Sequence, residues 1–170
     1  MEWINNDWRQ TNPRFNHEEA WPAQVFPNAD YHYFRDCGCL VCALAVMLRH
    51  SGIETEEDDR RFNPWVLNQR LIDCGAFSPE ADLELAYIDR LYLLEYFGEF
   101  PYSRESLVQI MERDLPCLIT VPGEKAGRHF VVPVFTLPDD VIVFDPLNGE
   151  RRLGAYKQIC DIRVFRPKKK

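Results

Sequence analysis

Asp36-Cys37-Gly38-Cys39-Leu40-Val41-Cys42-Ala43-Leu44-Ala45-Val46-Met47-Leu48-Arg49-His50-Ser51-Gly52 is the stretch around which the chain is organised. Gly38 marks a tight turn, the run after it is apolar on every side, and Gly52 supplies a stop. The pattern predicts a buried central helix that begins at Cys39. A cysteine in a helix's first turn sits among unpaired backbone N–H groups at the positive end of the macrodipole, where an anion is favoured. Cys39 is therefore the candidate nucleophile.

Ahead of this helix, residues 1–35 carry Trp3, Trp8, Trp21, Pro13, Pro22 and Pro27 with no sustained period of 3.6 or 2. Residues 1–21 read as a wrapping arm held by its aromatic side chains. Behind the helix, Glu54, Glu56, Glu57, Asp58 and Asp59 predict a solvated acidic loop. Asn63-Pro64 opens a second helix with apolar Leu67, Leu71 and Ile72, and Cys74-Gly75 closes it. Residues 81–97 repeat apolar positions at Leu85, Ile88, Leu91, Tyr92 and Tyr96, which predicts another helix. Ser103 reads as the N-cap of one more, covering Leu107, Ile110 and Met111.

From Cys117 the period changes. Residues 117–121, 130–135, 141–144 and 162–165 are short β-branched and aromatic runs separated by turn residues, the pattern of an antiparallel meander. A helical first half and a stranded second half predict an α+β domain with the helices packed on one face of the sheet.

At 170 residues and 46% hydrophobic content the chain is long enough for one buried core and short for two, so it reads as one domain with a loose basic tail at 166–170. The net charge of -7, spread from Glu18 to Asp161, repels phosphate backbones and argues against nucleic acid as a partner. The N-terminus lacks a secretory signal, and no run reaches the roughly 18 apolar residues that span a bilayer. A soluble, cytoplasmic product is expected, with export by another route left open. Without a signal, the six cysteines (Cys37, Cys39, Cys42, Cys74, Cys117 and Cys160) read as free thiols.

A cysteine nucleophile needs a base within hydrogen-bond reach and a third group to orient the base. His129 opens a strand after Gly127-Arg128, and Asp145 ends the next strand, before Pro146. Their separation of 145 − 129 = 16 residues fits two antiparallel neighbours joined by a hairpin around Pro138-Asp139-Asp140, so the carboxylate can fix the imidazole tautomer. His50 lies about three turns from Cys39 on the same helix and is too far to serve. His17 and His32 fall in the arm and read as surface residues.

Two other readings of the cysteine triplet stand beside this one. Cys37-x-Cys39-x-x-Cys42 could ligate zinc, although no second pair supplies the fourth ligand. Cys39-Leu40-Val41-Cys42 could be a redox pair, although no thioredoxin-like βαβ pattern precedes it.

Gly38-Cys39 with Leu44-Ala45, Leu48 and Gly52, then Arg128-His129-Phe130-Val131-Val132, then Val143-Phe144-Asp145-Pro146 and Gly149, resembles a known family. It is similar to the bacteriocin-leader (double-glycine) peptidases and their free-standing relatives in the papain-like cysteine peptidase superfamily, over most of residues 22–150. The resemblance implies a papain-like fold and a thiol hydrolase cleaving a peptide or amide bond in a peptide or protein substrate, with no metal or organic cofactor. It places the nucleophile at Cys39, the base at His129 and the orienting acid at Asp145. It implies an oxyanion donor at Gln24, in Pro22-Ala23-Gln24. The chain departs from the family in crowding Cys37 and Cys42 around the nucleophile; the 13-residue register from Cys39 to Gly52 selects Cys39 over Cys37. A cell-wall amidase, deamidase or acyl transferase with the same triad, and a silent binding module of the same fold, are the alternatives.

Overall fold

Residues 41–48 are an uninterrupted apolar run, and burying it on all sides is what fixes the centre of the molecule. In the computed structural model, which describes residues 8–11, 38–53, 62–78, 83–92, 94–123 and 127–168, this run lies inside helix α1, Cys39–His50, and every one of its side chains is buried. Gly38 is the N-cap and offers no side-chain acceptor, and no acidic residue stands in the first turn. The positive end of the helix is therefore not neutralised by its own cap. At the other end Gly52, at φ +62°, lets its N–H reach Arg49 O at 3.2 Å and that of Ile53 reach Leu48 O at 3.2 Å. This paired closure needs a left-handed residue, which glycine supplies without steric cost.

Helix α2, Pro64–Asp73, starts where Asn63 Oδ1 accepts from the N–H groups of Trp65 and Val66, with proline in the first turn where no N–H is needed. Helix α3 is the single turn Ile88–Leu91, entered through a 3₁₀ turn at Leu85–Tyr87. Helix α4, Arg104–Glu112, is capped by the Ser103 hydroxyl accepting from Ser106 N, as the sequence predicts.

Strands β1 (Leu94–Pro101), β2 (Cys117–Pro122), β3 (Arg128–Thr136), β4 (Val141–Asp145), β5 (Gly149–Arg152) and β6 (Asp161–Pro167) form one antiparallel sheet in the order β1-β6-β2-β3-β4-β5. The chain is thus an α+β fold. Strands β2, β3 and β4 follow one another as the expected meander does, but the unexpected β5 extends it, and β6, expected as its last strand, returns instead to pair with both β2 and β1.

Three expectations are corrected. The helix over 81–97 is instead a short helical turn followed by β1. Ile88, Tyr92 and Tyr96 recur at a step of four, which satisfies a period of 3.6 and a period of 2 alike. The aromatic and alternating Leu94-Glu95-Tyr96-Phe97 then favours the strand. The helices do not all share one face. Phe130, Val132, Phe144 and Phe165 join α1 and α2 in one apolar cluster, while Val131, Val143, Ile162 and Val164 meet Leu107 of α4 in another. Strands that are apolar on both sides need cover on both. The tail is not loose from 166: Arg166 lies in β6 with its guanidinium 3.0 Å from Glu95, and Lys168 Nζ stands 3.1 Å from Asp89.

Asn68 lies on α2, fully buried, with neither side-chain polar atom hydrogen-bonded among the described residues. An unsatisfied buried amide costs roughly 1–3 kcal/mol. Asn68→Leu should therefore raise the melting temperature, by about 2–4 °C for each kcal/mol recovered in a chain of this size. Differential scanning fluorimetry reads the change, and a lowered melting temperature would contradict the assignment.

Candidate active site

Helix α1 packs mainly on β3, with β2 and β4 to either side, so its N-terminal residue is delivered to one end of the central strands. Continuing the Val132–Phe144 register by one residue sets Val131 opposite Asp145. His129 is then two residues from Val131 on the same side of the pleat, a diagonal neighbour of Asp145. Side chains as long as histidine and aspartate close that gap: His129 Nε2 stands 2.8 Å from Asp145 Oδ1. Both are buried, His129 at 7% and Asp145 at 1% exposure. Cys39 lies close enough to His129 for its side chain to raise the imidazole pKa. With Nε2 committed to the carboxylate, Nδ1 is the nitrogen left for the sulfur.

The three residues singled out from the sequence therefore meet at one point, contributed by α1, β3 and β4. Cys39 is half-exposed while its partners are buried, so it is the most accessible of the three residues. Burial alone would lower the His129 pKa, but the Asp145 carboxylate and the Cys39 side chain outweigh it and raise it from 6.5 to about 9. The imidazole is accordingly a cation at neutral pH and can donate from both nitrogens.

Asp145 is held from several directions. Oδ1 also accepts from Leu147 N at 2.8 Å and Asn148 N at 3.3 Å. Oδ2 accepts from Asn148 Nδ2 at 2.9 Å and from the Tyr156 hydroxyl at 2.6 Å, and Arg151 Nη1 lies 3.6 Å away. Burial pushes this carboxyl up, but the hydrogen bonds from His129, Asn148 and Tyr156 outweigh burial and hold it well below the usual carboxylate range. It is a fixed anion, an acceptor on both oxygens.

Asn148, Arg151 and Tyr156 were not singled out from the sequence. The turn Asp145-Pro146-Leu147-Asn148 carries a readable signal for the first, because an aspartate before a proline commonly accepts from N–H groups two and three residues on. Tyr156 follows β5 and a 3₁₀ turn at Leu153–Ala155, and no local spacing announces its return to Asp145. Gln10 N donates to Pro146 O at 2.9 Å, and Trp8 packs edge-on against Phe62. Residues 8–11, part of the expected arm, thus fasten to the turn that follows Asp145.

Gln24, the implied oxyanion donor, and Cys37 lie outside the described residues, as do His17 and His32. Cys42 is a buried residue of α1, and Cys39, Cys42, Cys74, Cys117 and Cys160 are free thiols. Burial pushes the Cys117 thiol up to about 12, which makes it an inert core residue. A groove of about 580 Å³ lined by Met47, His50, Met111, Cys117 and Phe135 sits at the far end of α1. It holds none of the three convergent residues.

Among the described residues no helix is long and apolar enough to cross a membrane. Comparison with protein-family models, with curated proteins and with solved structures finds no match to the chain.

Proposed function

We propose that the chain is a papain-like cysteine hydrolase that cleaves a peptide or amide bond through Cys39, His129 and Asp145. The observation that carries this reading is a first-turn helix cysteine beside an imidazole whose Nε2 is held 2.8 Å from a buried carboxylate. A core histidine needs one satisfied nitrogen; this one has a partly exposed thiol near enough to raise its pKa besides its buried carboxylate partner.

In the first half-reaction the Cys39 thiolate, paired with the His129 imidazolium, attacks the carbonyl carbon. The C–S bond forms as the carbonyl electron pair moves to oxygen. The Cys39 backbone N–H, with the Gln24 amide implied by the family resemblance, holds that oxyanion. Collapse breaks the C–N bond, and the imidazolium proton goes to the leaving amine. In the second half-reaction neutral His129 takes a proton from water, hydroxide adds to the thioester, and the C–S bond breaks. The acyl group leaves as a carboxylic acid and the ion pair is restored.

The pH dependence of Cys39 carboxymethylation tests the reading. Iodoacetate is an anion and is drawn to a thiolate beside an imidazolium. Its rate at Cys39, followed by mass spectrometry, should therefore hold through neutral pH and fall with an alkaline limb near 9, where His129 loses its charge. His129→Ala should remove that limb. A Cys39 that alkylates as an ordinary exposed thiol, with the same profile in His129→Ala, would leave a binding module of the same fold. A peptide library and a peptidoglycan digest, run as separate arms, distinguish a peptidase from a cell-wall amidase.

A further inference from the structure

Asp145 has two oxygens, and only one of them serves His129. A carboxylate free to rotate about its terminal bond would offer the imidazole either oxygen, or neither in line, since such sp²-ended torsions are broad. Three of its five hydrogen-bond contacts come from its own turn: Leu147 N, Asn148 N and Asn148 Nδ2. These move with Asp145 and cannot register it against the rest of the fold. The fourth is His129 itself. The fifth, the Tyr156 hydroxyl at 2.6 Å on Oδ2, comes from 11 residues further along, beyond β5.

Tyr156 is itself fixed. Its N–H donates to Leu153 O at 3.1 Å, its ring packs against the second apolar cluster, and the Arg151 guanidinium lies 4.8 Å over the ring. Arg151 also lies 3.6 Å from Oδ2, so the cation is near both ring and carboxylate. Burial and the adjacent carboxylate push the Tyr156 hydroxyl up, so it stays a donor over the working pH range.

We propose that Tyr156 is a positioning residue. Its hydroxyl pins Oδ2 so that Oδ1 stays on His129 Nε2, and through that bond it sets the pH at which His129 loses its charge. The proposal rests on the Cys39–His129–Asp145 reading and deepens it.

Carboxymethylation of Cys39 by iodoacetate in the full chain tests it. Tyr156→Phe keeps the ring and removes only the hydroxyl. With Oδ1 no longer held in line, the imidazolium is stabilised less, and the alkaline limb should move down by about 0.5 to 1 pH unit. Tyr156→Met, which also keeps an apolar side chain there, should give the same direction of shift and stands in should the phenylalanine variant fold poorly. A variant that lowers the melting temperature while its limb superimposes on that of the parent has lost packing alone, and this result overturns the proposal. An upward shift also overturns it. His129→Ala separates the two levels. If it leaves the Cys39 profile unchanged, the hydrolase reading fails. If it abolishes the limb while Tyr156→Phe does not move it, only the role of Tyr156 fails.

Discussion

Cys39→Ala abolishes covalent labelling by a thiol-directed activity probe and lowers turnover of any cleavable substrate by roughly 10⁴-fold or more, the scale seen when a covalent nucleophile is removed. The fold should survive. Cys39 is half-exposed at the end of α1, so truncating its side chain at Cβ opens no cavity in the core. Circular dichroism and melting temperature should match the parent. Cys42→Ala acts in the opposite sense: that thiol is fully buried, and its loss costs some stability while labelling persists. Cys37→Ala should label as the parent does. A silent Cys37→Ala beside a labelled Cys39→Ala would move the nucleophile two residues upstream and remove the helix-end argument.

The second large effect is Asp145→Asn. Among the described residues every hydrogen-bond partner of the two carboxylate oxygens is a donor: His129, Leu147 N and Asn148 N on one, Asn148 Nδ2 and Tyr156 on the other. An amide must turn its own NH₂ toward one of these sets. If it faces His129, it opposes two backbone N–H groups and forces the wrong tautomer; if it faces Oδ2's partners, it opposes Asn148 Nδ2. Activity should fall by roughly 10³- to 10⁴-fold, as when an orienting carboxylate becomes an amide in a serine triad. Stability should fall by about 3 kcal/mol, the scale for breaking one side of a buried charged pair.

The pH dependence of that loss has a definite sign. Asp145 is held below the ordinary carboxylate range, so its contribution is present above about pH 4 and fades as pH falls. His129 is raised, so its contribution is complete below about 6.5 and is lost as pH rises through about 9. The difference in melting temperature between parent and Asp145→Asn should therefore be widest between about pH 4 and 6.5. It should narrow on both sides.

Much of this site is legible in the residues because its signals are local. A helix apolar on all faces, a glycine before its first cysteine, and a histidine and an aspartate on neighbouring strands each read from a window of a few residues. So do the caps at Asn63 and Ser103. What is not legible depends on distance. β1 was hidden because a step of four suits helix and strand equally. β5 was missed because Gly149-Glu150-Arg151-Arg152 is polar and carries no alternation. The place of β6 between β1 and β2, the second covered face and the return of Tyr156 to Asp145 are tertiary facts, decided by what each surface must meet.

The return of β6 also bears on how the molecule comes into being. β1 and β2 flank a gap in the sheet that neither can close, and the strand that fills it follows all the others described. During synthesis, the meander carrying His129 and Asp145 can form early, yet β1 must wait with its edge open until residues 161–167 emerge. Such long-range pairing slows folding. It also leaves a nascent chain whose unpaired strand edges invite misassembly, so chaperone demand should concentrate in the interval between the appearance of β1 and that of β6.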